Sequence, residues 1–195
     1  MIAQFNKLSE ANPTSSDRVI SLKPFQDKFI FSQKRYPAFI GAWGTGKTMC
    51  AIERGRIHSE KHPKNLGMIV RKEFVNLRDS TMVDYENYTG MKINSERNSD
   101  FSNHSRVMFR HAEELTKDNL SNINLGWFII EQAEEFDTDD VFFMLTGRLR
   151  REGVPHWGAV IGNTRGHDWI YKLWKVGQDD SYSLEEATSF DNADN

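Results

Sequence analysis

The octapeptide GAWGTGKT at 41–48 constrains this chain more than any other stretch. It fits the pattern G-x-x-x-x-G-K-T through Gly41, Gly46, Lys47 and Thr48. Its flanks give the match its weight. An apolar run, YPAFIG at 36–41, precedes it, and a helix-forming stretch over 47–59 follows. Strand, glycine-rich loop and helix form the context in which such a loop cradles phosphate. Gly41, Gly44 and Gly46 let the backbone bend so that several N–H groups point inward. The helix that follows adds the positive end of its dipole. Lys47 brings a mobile charge to the phosphate oxygens, and Thr48 brings a hydroxyl to Mg²⁺. Trp43, Gly44 and Thr45 belong to the same loop. Trp43 either covers the nucleotide or packs beneath the loop, and the sequence leaves both open.

The rest of the chain repeats the strand–helix rhythm. Further apolar runs stand at 66–71 (LGMIVR), 125–130 (LGWFII) and 157–162 (WGAVIG). Short, continuous apolar runs suit parallel strands buried on both faces. Helical patterns separate them, over 75–88 and 139–150 besides 47–59. The alternation predicts an α/β domain around a mostly parallel central sheet flanked by helices. Residues 91–111 break the rhythm with two alternating runs about a polar centre, which predicts an antiparallel hairpin at the sheet edge. We expect a polar arm over 1–20, the nucleotide-binding domain over 21–178, and a polar, acidic linker over 179–195.

The run WFII at 127–130 ends in Glu131, the position from which an acid faces a phosphate loop and holds Mg²⁺. The residue after it is Gln132, where many nucleotide hydrolases carry a glutamate. A glutamine cannot take a proton at neutral pH, yet it can orient water through hydrogen bonds. Glu134 or Glu135 could instead reach that water. An engineered Glu-to-Gln exchange that traps ATP, or a site that binds without hydrolysis, would also leave Gln132 here. The acids over 134–140 (EEFDTDD) read as the opening of a helix, where they meet its dipole favourably.

Composition narrows the field. With 38% hydrophobic and 27% charged residues, the 195-residue chain has the make-up of a folded domain. Its net charge of −3 shows no overall basic bias towards nucleic acid. One cysteine, Cys50, permits no internal disulfide and reads as a small core residue in a reducing compartment. No apolar run approaches the ~18 residues of a membrane span, and no signal peptide is legible, so a cytoplasmic location without membrane contact is expected. The six histidines show no zinc spacing. Trp169 and residues 170, 173 and 174 fall at helical spacing and predict a buried helix face.

Taken in order, several segments resemble the N-terminal ATPase domain of the large terminase subunit of tailed bacteriophages, the motor that packs DNA into a procapsid. They are LKPFQDKFIFS at 22–32, the loop itself, IVRKEFVNLRDST at 69–81, GWFIIEQAEEF at 126–136, LTGRLRR at 145–151 and VIGNTRGHDWIYKLW at 160–174. The resemblance covers roughly residues 20–178. It implies a RecA-like (ASCE) P-loop fold, with ATP and Mg²⁺ as ligands. It implies that Gln26 reads the adenine edge and that Glu131 is the Walker B acid. Asn163 and Thr164 would sense the γ-phosphate. An arginine would neutralise the transition state, often from a neighbouring subunit; the candidates are Arg148, Arg71, Arg78 and Arg150. The implied partners are double-stranded DNA, the portal protein and the small terminase subunit. The implied assembly is a ring, a pentamer when assembled, with a monomer possible in isolation. The implied setting is the host cytoplasm at the portal vertex. Full-length members carry a C-terminal nuclease domain, and 185–195 resembles the link towards it; no two-metal nuclease centre is legible in the chain. Two other readings stay open: another RecA-like DNA translocase or helicase, and a non-hydrolysing nucleotide-binding module that serves assembly.

Overall fold

The structure, a computed structural model, describes residues 21–163, 165–177 and 179–192. The predicted arm over 1–20 and Thr164 lie outside the described residues. Seven strands form one sheet: β1 (Tyr36–Gly41), β2 (Leu66–Arg71), β3 (Asn98–Asp100), β4 (Arg106–His111), β5 (Trp127–Glu131), β6 (Trp157–Gly162) and β7 (Tyr182–Ala187). Their spatial order is β3-β4-β2-β5-β6-β1-β7. Every neighbouring pair is parallel except β3–β4, which is antiparallel. This is the expected α/β, RecA-like arrangement with a hairpin at one edge. The second hairpin strand, β4, is also a full parallel partner of β2.

The central runs alternate between two cores, as strands buried on both faces must. Ala38, Met68, Phe128, Ile130 and Val160 face one core, with α5 (Lys117–Leu120), α6 (Asp140–Thr146) and α7 (Trp169–Tyr171) on that side. Phe39, Ile69, Trp127, Ile129 and Ile161 face the other, under α1 (Pro24–Ile30), α2 (Lys47–Lys61) and α4 (Met82–Thr89). Trp127 and Trp157 stack with ring centroids 5.2 Å apart, and Trp127 Nε1 donates to Ser59 Oγ at 3.2 Å. Trp169, Ile170 and Trp174 are buried, as their spacing predicts, and Cys50 is buried on the inner face of α2. Among the described residues, no helix is long and apolar enough to cross a membrane.

Three boundaries differ from the sequence reading. The segment expected as linker contributes strand β7, in register with β1 from Tyr36↔Tyr182 to Gly41↔Ala187. It is an edge strand, only partly buried, so polar residues such as Glu185 and Glu186 serve it without a continuous apolar run. The helix expected over 139–150 ends at Thr146. Beyond it, Leu149 bridges in parallel to Leu125, and Leu125 N donates to Arg148 O at 2.7 Å. The helix expected over 75–88 is interrupted. A short α3 (Phe74–Asn76) leads into a π turn over Leu77–Thr81 and then into α4.

Candidate nucleotide-binding and hydrolysis site

The carboxyl ends of β1, β5 and β6 converge on the loop between β1 and α2. Gly44 and Gly46 hold φ of 79° and 80°, left-handed values that a side chain would strain. Gly46 is the cap of α2 and leaves the first N–H groups of the helix without a side-chain acceptor, open to an anion. Thr45 is fully buried and ties the loop to itself, with Oγ1 donating to Ala42 O at 2.9 Å. Lys47 Nζ donates to Gly41 O at 2.9 Å and to Ala42 O at 2.8 Å, curling over the loop's entry. Burial pulls the Lys47 ammonium below its ordinary pKa, while the nearby Glu134 carboxylate raises it. Trp43 is 82% exposed, which rules out packing beneath the loop.

Gln26 reaches the loop from α1. Its Nε2 donates to Thr45 O at 3.0 Å, and its Oε1 accepts from Lys23 N at 2.9 Å. The buried amide therefore braces the loop backbone. These two bonds use one N–H and one lone pair of the amide.

Glu131 is 3% exposed, and both of its oxygens are engaged. Thr48 Oγ1 donates to Oε1 at 2.8 Å, and Thr81 Oγ1 donates to Oε2. Burial pushes the Glu131 carboxyl up, and the hydrogen bonds from Thr81 and Thr48, with the Arg71 charge, pull it back. A hard oxygen pair, carboxylate beside hydroxyl, fits Mg²⁺. Thr81 was not singled out from sequence. It sits at the end of the π turn, the kind of helix irregularity that often accompanies a functional site. The sequence signal available was only its place after the second strand.

Gln132 adopts a left-handed backbone, φ 51° and ψ 50°. This turn swings the chain out of β5 into a single 3-10 turn over Ala133–Glu135. The acids at 134 and 135 thus lie outside α6, whose first turn and cap carry Asp140 and Asp139. That corrects the reading of the whole acidic stretch as a helix opening. Glu135 points towards β2, where its Oε1 meets Arg71 at 3.4 Å. Glu134 points towards β6, where its Oε1 accepts from Asn163 Nδ2 at 2.6 Å. The same amide donates to Gln132 Oε1 at 3.0 Å. Gly162 makes room for this cluster: a Cβ there would stand 2.2 Å from Glu134 Oε2.

The arginine candidates separate. Arg148 lies at the entry of β5, with Nη1 donating to Ser121 O at 3.3 Å. Six residues of extended chain, roughly 20 Å, part Leu125 from Glu131. Arg148 is therefore not part of this chain's own site, and Arg150 shares its position through bonds to Asn124 and Ser121. Arg78 is exposed and paired with Asp79. Arg71 is buried beside the site, with Nη1 3.4 Å from Thr81 Oγ1. Arg165, not among the candidates, donates to Glu134 O.

The arrangement superimposes on solved proteins. The large terminase of a thermophilic bacteriophage matches at a TM-score of 0.73 and 14% identity, over 90% of this chain and 48% of that one. This is the fold of a large-terminase ATPase domain. The large terminase ATPase domain of Thermus phage P74-26 matches at a TM-score of 0.62 and 13% identity, covering 88% of this chain and 82% of that domain. The large terminase of bacteriophage HK97 matches at 0.66 and 13%, covering 87% and 40%. The first of these terminases is also known bound to ADP and to ATP-γ-S. The chain thus spans about half the length of that thermophilic-phage terminase and most of the P74-26 ATPase domain. No protein-family model and no curated protein matches the sequence.

Proposed function

We propose that this chain is a Mg²⁺-dependent ATPase that drives double-stranded DNA into a viral procapsid. The observation that carries the reading is the 2.8 Å bond between Thr48 and Glu131, which joins the phosphate loop to a buried acid within a terminase-type sheet. In this reading the loop N–H groups and the start of α2 hold the β- and γ-phosphates. Lys47 releases the Gly41 and Ala42 carbonyls and turns to the γ-phosphate. Thr48 and Glu131 hold the metal, whose role is to neutralise charge on the phosphates. Gln26 braces the loop and offers its remaining donor and acceptor to adenine.

Asn163 begins the segment after β6, so loss of the γ-phosphate beside it would be felt by α7 and the helical turns that follow. That supplies a route from hydrolysis to movement of a DNA-gripping surface. Work on DNA would take place in a ring of copies at the portal of a procapsid in the host cytoplasm, with a small terminase subunit and the portal protein as partners. Arg71, beside Thr81, and Arg165, bonded to Glu134 O, are the arginines that could serve the site from within. An arginine of a neighbouring copy is the other source.

Phosphate release from ATP tests the reading. The chain should turn over ATP with Mg²⁺ present and stop when EDTA removes the metal. Hydrolysis that persists in EDTA would refute the metal role, and nucleotide binding without any hydrolysis would refute the ATPase.

A further inference from the structure

Gln132, Glu134 and Glu135 follow Glu131 at the end of β5, and the structure distinguishes them. Gln132 spends its Oε1 on Asn163 Nδ2 at 3.0 Å. Glu135 faces the β2 side of the site, against Arg71, and its backbone O accepts from Lys72 Nζ at 2.7 Å. In the strand order, β2 lies beyond β5, whereas β6 lies between β5 and the loop strand β1. Glu134 is the acid on the β6 side. Its Oε1 is fixed by Asn163 at 2.6 Å. Its Oε2 is buried without a hydrogen-bond partner, as is Glu135 Oε2, and it is Glu134 Oε2 that lies against β6, where a Cβ on Gly162 would collide with it.

A buried, unpartnered carboxylate oxygen costs free energy unless a partner arrives. A water held between Glu134 and the γ-phosphate would be that partner. From these positions we infer that Glu134 is the catalytic carboxylate that orients the attacking water and accepts its proton. Asn163 is the positioning residue that aims it, and Gln132 holds Asn163. The amide of Asn163 can face these groups in one sense only. With its oxygen turned towards them it would meet the Glu134 carboxylate, which only accepts. The αL turn at Gln132 is what brings the carboxylate of Glu134, three residues after Glu131, to this place.

The step balances simply. The water oxygen forms a bond to the γ-phosphorus as the bond from that phosphorus to the β,γ-bridging oxygen breaks. The bridging oxygen leaves with the electron pair on ADP. The proton from water passes to Glu134 Oε2 and then to phosphate or solvent. The inference rests on the ATPase reading above, and its test separates the two.

Single-turnover phosphate release and equilibrium binding of a fluorescent ATP analogue are measured for the chain and for Glu134→Gln. The variant is expected to bind the analogue as the parent does while release slows roughly 10²- to 10⁴-fold. If the parent hydrolyses ATP and Glu134→Gln does so within a few-fold, the assignment fails while the ATPase reading stands. If binding and turnover fall together, Glu134 is a structural support and the assignment is overturned. If the parent binds nucleotide and releases no phosphate, the ATPase reading itself fails and takes the assignment with it.

Discussion

Thr81 shows how much of the site depends on single polar atoms. Its hydroxyl is one of two that satisfy the buried Glu131 carboxylate, and Arg71 approaches it from behind. A buried acceptor stripped of its donor costs about 1–3 kcal/mol. Thr81→Val, which keeps the shape and removes the donor, should therefore lower stability by about that amount in denaturant melts, and Thr81→Ser should restore most of it. Equal stability in all three would mean that the hydroxyl does not hold Glu131. Nothing in sequence spacing marks this residue, because the π turn that aims it at Glu131 is a backbone irregularity with no pattern of its own. Glu131 was legible, since an acid ending a buried strand has few other roles. Glu134 was legible only as one of three, because its direction follows from the left-handed backbone at Gln132.

Elements carry their own electrostatics. Helix α2 runs from the phosphate loop to Lys61 and carries His58, whose ring packs 5.0 Å from Trp157 and 5.9 Å from His62. Burial, then the charges of Arg54, His62 and Lys61, push the His58 imidazole down to about 3. In the unfolded chain it titrates near its ordinary value of about 6.5. The folded pKa is the depressed one, so this contribution to stability is complete above about 6.5 and is lost as pH falls towards about 3. The melting temperature should fall as pH drops from 7 to 5, by roughly 2–4 °C for each kcal/mol lost. His58→Phe, which keeps an aromatic ring against Trp157, should fall less over the same range. Parallel curves for the two proteins would show that His58 does not contribute.

At the scale of the molecule, the central strands could be read from the sequence because burial on both faces leaves continuous apolar runs at 36–41, 66–71 and 157–162. Strand β7 escaped for the opposite reason. An edge strand exposes part of its length, so YSLEEA looks like a surface segment until β1 pairs with it. The early end of α6 was signalled by Gly147, but the turn back to Leu125 that follows it runs through main-chain bonds, which leave no side-chain signature. That turn also removes Arg148 from this chain's own site. The sheet order then accounts for the site as a whole: β6 lies between the loop strand and the acid strand, so groups from three strands meet at one end.

Hydrolysis of ATP at this meeting point is tested most directly at Lys47. Its ammonium now rests on the Gly41 and Ala42 carbonyls, beside the space the phosphates would take. The decisive measurement is steady-state phosphate release from ATP by the chain and by Lys47→Ala, at equal concentration with Mg²⁺. Turnover is expected in the first and a fall of at least ~10²-fold in the second, as loss of a charge on the transferring phosphoryl group requires. Undiminished hydrolysis by Lys47→Ala would contradict it.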